Sequence, residues 1–235
     1  LTIVGPLASW GTWLPLHALL LGGIGSAITI WSAHFADTLL HRPALGGAAL
    51  LDTRLYAHSL GTVIVLTGIT MGRQVPALIG AGIVMAQAVA GVVAITVQYR
   101  RAIAPRLASL ALHYAVALVL LATGALLGFL IAWSNAHGRS ALADGFYLAH
   151  TTTMLLGFVG TTVLGTLTVL WPTMLRTPME PVAPRWTTRG LPYLVGGTAL
   201  VAACGLWPPL AGLGTLVYLG GACAVLVPAY RTARR

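Results

Sequence analysis

The chain reads as seven long apolar stretches separated by short polar connections. They run approximately over residues 13–34, 55–72, 75–98, 107–133, 145–171, 190–208 and 211–230. Each is about the 20 residues that a helix needs to cross a bilayer. No stretch carries an acidic residue or an arginine in its middle. The four acids, Asp37, Asp52, Asp144 and Glu180, fall in connections or at segment ends. Strands of a membrane barrel would be about half as long and would alternate in polarity. The pattern therefore predicts an all-α fold, a polytopic transmembrane bundle of about seven spans in one domain. Pro15, Pro76, Pro105 and Pro192 lie near predicted helix starts, where a missing N–H costs little. Trp10, Trp13, Trp31, Trp133, Trp171 and Trp207 lie near predicted ends, as anchors in the bilayer interface do. The longest connection is Thr173 to Arg189, with Pro178, Pro181 and Pro184.

Composition agrees. Of 235 residues, 57% are apolar and 7% charged, and the mean hydropathy is +0.88. A soluble domain carries about 25% charged residues, so this chain cannot cover a soluble surface. Its net charge of +9 comes entirely from arginine. The arginines lie between apolar segments, which suits topology and lipid headgroups rather than nucleic acid. Arg42, Arg54, Arg100, Arg101, Arg106, Arg176, Arg185 and Arg189, with Arg231, Arg234 and Arg235 of the tail, fall on one side. Only Arg73 and Arg139 fall on the other. The positive-inside rule makes the larger set cytoplasmic. The expectation is a multi-pass plasma-membrane protein with its C-terminus in the cytoplasm. Leu1 to Ala8 reads as the tail of a preceding helix, as in a fragment of a longer protein. Cys204 and Cys223 are isolated, with no CxxC or zinc spacing, and read as small apolar residues.

The candidate chemistry is histidine. Five of the seven, His17, His34, His58, His113 and His150, sit in or at the ends of the spans. An ionisable group there is costly and points to function, and imidazole is a common ligand of metals and haem iron. His17 and His150 fall at similar depth near the outer ends of two different helices. His34, His58 and His113 form an inner group, while His41 and His137 lie in connections. His17 and His34 share one helix, roughly 25 Å apart at 1.5 Å per residue, so they cannot share a small site. Two imidazoles on two helices suit haem b with an axial ligand on each face. At 100° per residue, Gly157, Thr161 and Thr168 fall on the His150 face, a small-residue stripe along which a flat ring can approach. Met154, one turn from His150, is a further candidate ligand or core filler. The second and fourth spans share a loose pattern, His58 before Thr67-Gly68-x-x-x-Gly72 and His113 before Thr123-Gly124-x-x-x-Gly128. It suggests a duplication, although GxxxG is also a plain packing motif.

Two other readings stand beside cofactor binding. In a non-redox membrane anchor or scaffold, the histidines only hydrogen-bond neighbouring helices, at about 0.6 kcal/mol each. A transporter usually shows intramembrane carboxylates, which these spans lack. No Ser-His-Asp spacing, phosphate loop, HExxH or paired carboxylates occur.

Two runs carry a family resemblance. One is Leu16-His17 through Ile30-Trp31-Ser32-Ala33-His34-Phe35-Ala36-Asp37-Thr38-Leu39-Leu40. The other is Ala149-His150, then Leu156 to Leu167, ending Leu170-Trp171-Pro172-Thr173-Met174-Leu175-Arg176-Thr177. They resemble the N-terminal membrane region of actinobacterial multicopper oxidases, whose cupredoxin part is similar to copper nitrite reductase. The likeness covers most of the chain and weakens after Arg189. More distantly, the chain is similar to nitric-oxide response membrane proteins that bind haem and copper. The resemblance implies a membrane electron-transfer domain with haem b near the outer face. It would relay electrons from quinol to an extracytoplasmic copper oxidoreductase of the nitrite reductase or multicopper oxidase type. His17 and His150 would be the outer ligands, His58 and His113 candidates for a second site, and His34 a candidate haem or copper ligand. The partners implied are the bilayer, a cupredoxin-type copper domain absent from this chain, quinol and, as in copper nitrite reductases, a homotrimer.

Overall fold

A computed structural model describes residues 11–102 and 107–234. Leu1 to Trp10, Pro105, Arg106 and Arg235, which entered the reading of the chain start, the anchors, the helix starts and the arginine balance, lie outside the described residues. The fold is the expected all-α bundle. Seven long helices follow one another: α1 Trp13–Leu40, α2 Gly47–Thr70, α3 Gln74–Arg101, α4 Ala108–Ala136, α5 Ser140–Leu175, α6 Ala183–Ala202 and α7 Pro209–Ala233. Of these, α1, α3, α4, α5 and α7 are long and apolar enough to cross a membrane. Large apolar side chains such as Leu19, Val63, Ile79, Leu126, Val163 and Leu216 point outwards, as they do where hydrocarbon replaces water. The chain is a multi-pass membrane protein.

Short turns make successive helices antiparallel neighbours. Met71 to Arg73 joins α2 to α3, with Gly72 at φ 64°. His41 and Arg176 cap α1 and α5 in the left-handed region, at φ 49° and 55°. Both cost more there than a glycine would. The core lies along α4. Leu110, Ala111, Ala117, Leu118 and Leu121 are fully buried, against Val84 and Ala88 of α3, Ala36 and Leu40 of α1 and Phe158 of α5.

The helices exceed the apolar runs at several ends. α2 starts at Gly47, so Asp52 and Arg54 lie within it and not in a connection. A hydropathy criterion stops at the polar Asp52-Thr53-Arg54 run, yet Arg54 is buried, its Nε donating to the Gln87 carbonyl at 3.1 Å. α6 likewise starts at Ala183. Pro184 holds the first-turn place, and Pro192 lies inside the helix instead of at its start.

The molecule has an internal repeat that is not the one suggested by the Thr-Gly patterns. α1 and α5 each contain a π-helical stretch, Ala18–Ile24 and Thr153–Gly160. The two stretches align as Leu20-Leu21-Gly22-x-Ile24-Gly25 and Leu155-Leu156-Gly157-x-Val159-Gly160, and the same offset aligns the left-handed caps His41 and Arg176. The following pairs also correspond. A Cβ on Gly61 of α2 would meet the Gly80 carbonyl of α3 at 2.9 Å; one on Gly197 of α6 would meet the Gly214 carbonyl of α7 at 2.7 Å. Both hairpins thus bring backbones together at glycine, as small residues allow in membranes. Three helices, a single central α4, and three more helices in the same sense make up the described residues.

Candidate haem-ligand pair

Helix α1 sets His17 one residue before its π stretch, and α5 sets His150 three residues before its own. π turns inside α-helices cluster at functional sites. The structure brings these two imidazoles together. Their ring centroids are 6.2 Å apart and their planes differ by 13°. That separation lies within the range of an offset-stacked ring pair. A metal held between two imidazoles, with bonds of about 2.0–2.1 Å and ring centroids about 1.1 Å behind each nitrogen, requires about 6.3 Å. The observed centroid separation is also close to that value.

Both rings are oriented from behind. The Nδ1–H of His150 donates to the Gly124 carbonyl of α4 at 2.8 Å, and the Nδ1–H of His17 to the Trp13 carbonyl at 2.9 Å. A carbonyl only accepts, so each Nδ1 carries a proton, and the neutral form of each ring has its lone pair on Nε2. In metal-ligating histidines such a bond from the other ring nitrogen fixes the tautomer and raises basicity. Trp13 stacks on His17, centroids 4.4 Å apart. Gly128 lies under His150, where a Cβ would sit 3.2 Å from Cε1; Gly124 makes room for Met154. The Thr-Gly pattern of α4 therefore seats His150 and Met154. In α2 the same pattern serves the turn to α3, with Gly68 against Ala77.

His58 lies mid-helix in α2, and not at the start of that helix, because α2 begins earlier than the apolar run. It is fully buried with both nitrogens engaged. Nε2–H donates to the Leu21 carbonyl at 2.8 Å, and Nδ1 accepts from the Gln87 amide at 3.0 Å. The π stretch explains the first bond. Gly25 N–H bonds the Leu20 and Gly22 carbonyls and passes over Leu21. The matching carbonyl in the second repeat, Leu156, accepts from the Tyr218 hydroxyl at 3.1 Å. His58 thus satisfies a carbonyl that the π turn frees, as buried main chain requires.

His113 is fully buried in α4 beside Gly165 of α5, and neither ring nitrogen has a hydrogen-bond partner. Gly165 of α5 packs on His113, whereas His58 bonds Leu21 of α1 and Gln87 of α3. His34 is exposed near the C-terminal end of α1, next to Trp31. Among the described residues no three His, Cys, Asp or Glu side chains converge on one point, so the outer pair is a two-ligand arrangement. The expected stripe below His150 does not form as counted. The π stretch Thr153–Gly160 breaks the 100° register, and Gly157 packs against Leu120 of α4 and Thr198 of α6.

The residues that sequence reasoning missed are main-chain groups and glycines: the Gly124 carbonyl, Gly128 and the two π stretches. The repeated Leu-Leu-Gly-x-[Ile/Val]-Gly run was the available signal. No family model matches the chain, and no curated protein or solved structure matches it either.

Proposed function

We propose that this chain is a membrane electron-transfer domain in which His17 and His150 hold a b-type haem near the outer face. The 6.2 Å separation of two near-parallel imidazoles, with both Nδ1 groups bonded to main-chain carbonyls, carries the reading. These residues fit the group: a neutral imidazole with a free Nε2 stands on each side. When bound, the haem supplies one-electron redox chemistry. The chain holds the ligands in place. α4 fixes His150 through Gly124, α1 fixes His17 through its own first turn, and Gly128 keeps the space beside His150 clear. Quinol as donor and a cupredoxin-type copper oxidoreductase as acceptor, of the nitrite reductase or multicopper oxidase type, are supported by the Trp31–Leu40 and Leu170–Thr177 runs.

Spectra of the purified full chain, oxidised and dithionite-reduced, with a pyridine haemochrome, test this. Sharp α and β bands of a six-coordinate b-type haem, lost in His17→Ala and in His150→Ala, are expected. A featureless spectrum from protein made with haem available, or bands retained in both variants, rejects the ligand pair.

A further inference from the structure

A second site lies at the opposite end of the first repeat. The inner ends of α1, α2 and α3 enclose a cavity of about 150 Å³, with Ala33, Ala48, Leu51, Ala94 and Ile95 among its apolar walls. Arg54 reaches it from α2. This guanidinium is 4% exposed and lies flat on Gly91 of α3, where no Cβ could fit. Among the described residues its Nε donates to the Gln87 carbonyl, while Nη2, packed against Gly91, has no partner. Among the described residues no carboxylate bonds it. Asp37, the one acid on the cavity wall, is already bound through Oδ1 by the Gln98 amide at 2.5 Å and the Ala44 N–H at 3.1 Å. His34 stands exposed at the rim.

Guanidinium is always charged, and an unpaired buried charge is costly. Packing does not demand it here. In the second repeat the places of Arg54 and Gln87 fall to Gly190 and Gly221, and the helices close directly, with Gly190 facing the Gly221 carbonyl. The first repeat instead keeps a cation beside an open space.

We propose that this cavity binds an anionic phosphate through the Arg54 guanidinium. A neutral ligand would leave the charge unbalanced, whereas a phosphate held in the cavity beside the guanidinium balances it. The phosphate comes either from the headgroup of an acidic lipid in the inner leaflet or from solution. The proposal is independent of the outer histidine pair.

The test is the thermal midpoint of the delipidated full chain at constant ionic strength. The additions are phosphatidylglycerol, phosphatidylcholine or inorganic phosphate, each given to wild type, Arg54→Gln and Ala48→Trp. Ala48 is exposed and lines the cavity, so Ala48→Trp blocks entry even if Arg54→Gln does not fold. Phosphatidylglycerol is expected to raise the wild-type midpoint above that in phosphatidylcholine, with the excess lost in both variants. The same pattern with inorganic phosphate alone would identify a soluble anion as the ligand. Equal midpoints in the two lipids with no effect of phosphate, or an excess that persists in Ala48→Trp, overturns the proposal.

Discussion

At the residue scale, five intramembrane histidines separate by what their nitrogens do. His58 has spent both, one on the Leu21 carbonyl and one on Gln87. Its removal orphans two buried polar groups, at about 1–3 kcal/mol each. His58→Ala is therefore expected to lower the unfolding midpoint while leaving the reduced haem bands in place, which a melt and a spectrum of one sample check. His17→Ala and His150→Ala should do the reverse, losing the bands with a small change in midpoint. Gly128→Leu should act like His150→Ala, since a Cβ there already sits at 3.2 Å from the ring; wild-type bands in that variant would contradict the placement. The depth match of His17 and His150 was legible from counting residues. The role of His58 was not, because its acceptor exists only through a π turn, and no spacing of apolar residues announces one.

At the scale of elements, the π stretches form a paired device. Each frees one carbonyl, and a neighbouring helix supplies the donor: His58 of α2 for Leu21, Tyr218 of α7 for Leu156. Gly25 completes the first arrangement, because a Cβ there would sit 2.7 Å from His58 Nε2. Gly25→Ala should break the same bond that His58→Ala breaks. The two losses should then be strongly non-additive in a double-mutant cycle, as for residues that share one interaction. Additive losses would mean that Gly25 acts through packing alone. Helix number and order were legible because apolar length decides them. The start of α2 was not, because a buried Arg54 bonded to Gln87 looks like a loop residue to any hydropathy window. The repeat lay in plain letters at Leu20–Gly25 and Leu155–Gly160, but short glycine-rich runs carry weight only once both are seen in π geometry beside a histidine.

At the scale of the molecule, orientation decides on which side of the bilayer the His17–His150 pair lies. The pair sits near the starts of α1 and α5, the end that also holds Arg73 and Arg139. Moving Arg54 from a connection into α2 takes one charge from the cytoplasmic count and leaves the imbalance intact, since the other end still has two arginines. The rule counts charges near span ends in short loops, and the connections here are short. A variant with Cys204→Ser and Cys223→Ser removes both free thiols. In intact cells, a membrane-impermeant maleimide should then label Gln74→Cys and Ser140→Cys, whose positions are exposed at the arginine-poor end. Pro43→Cys and Val182→Cys, exposed at the other end, should react only after the cells are opened. The opposite pattern would put the histidine pair on the cytoplasmic side. An extracytoplasmic copper partner could not then exchange electrons with it directly, and the partner half of the proposal would fall while the ligand pair stood.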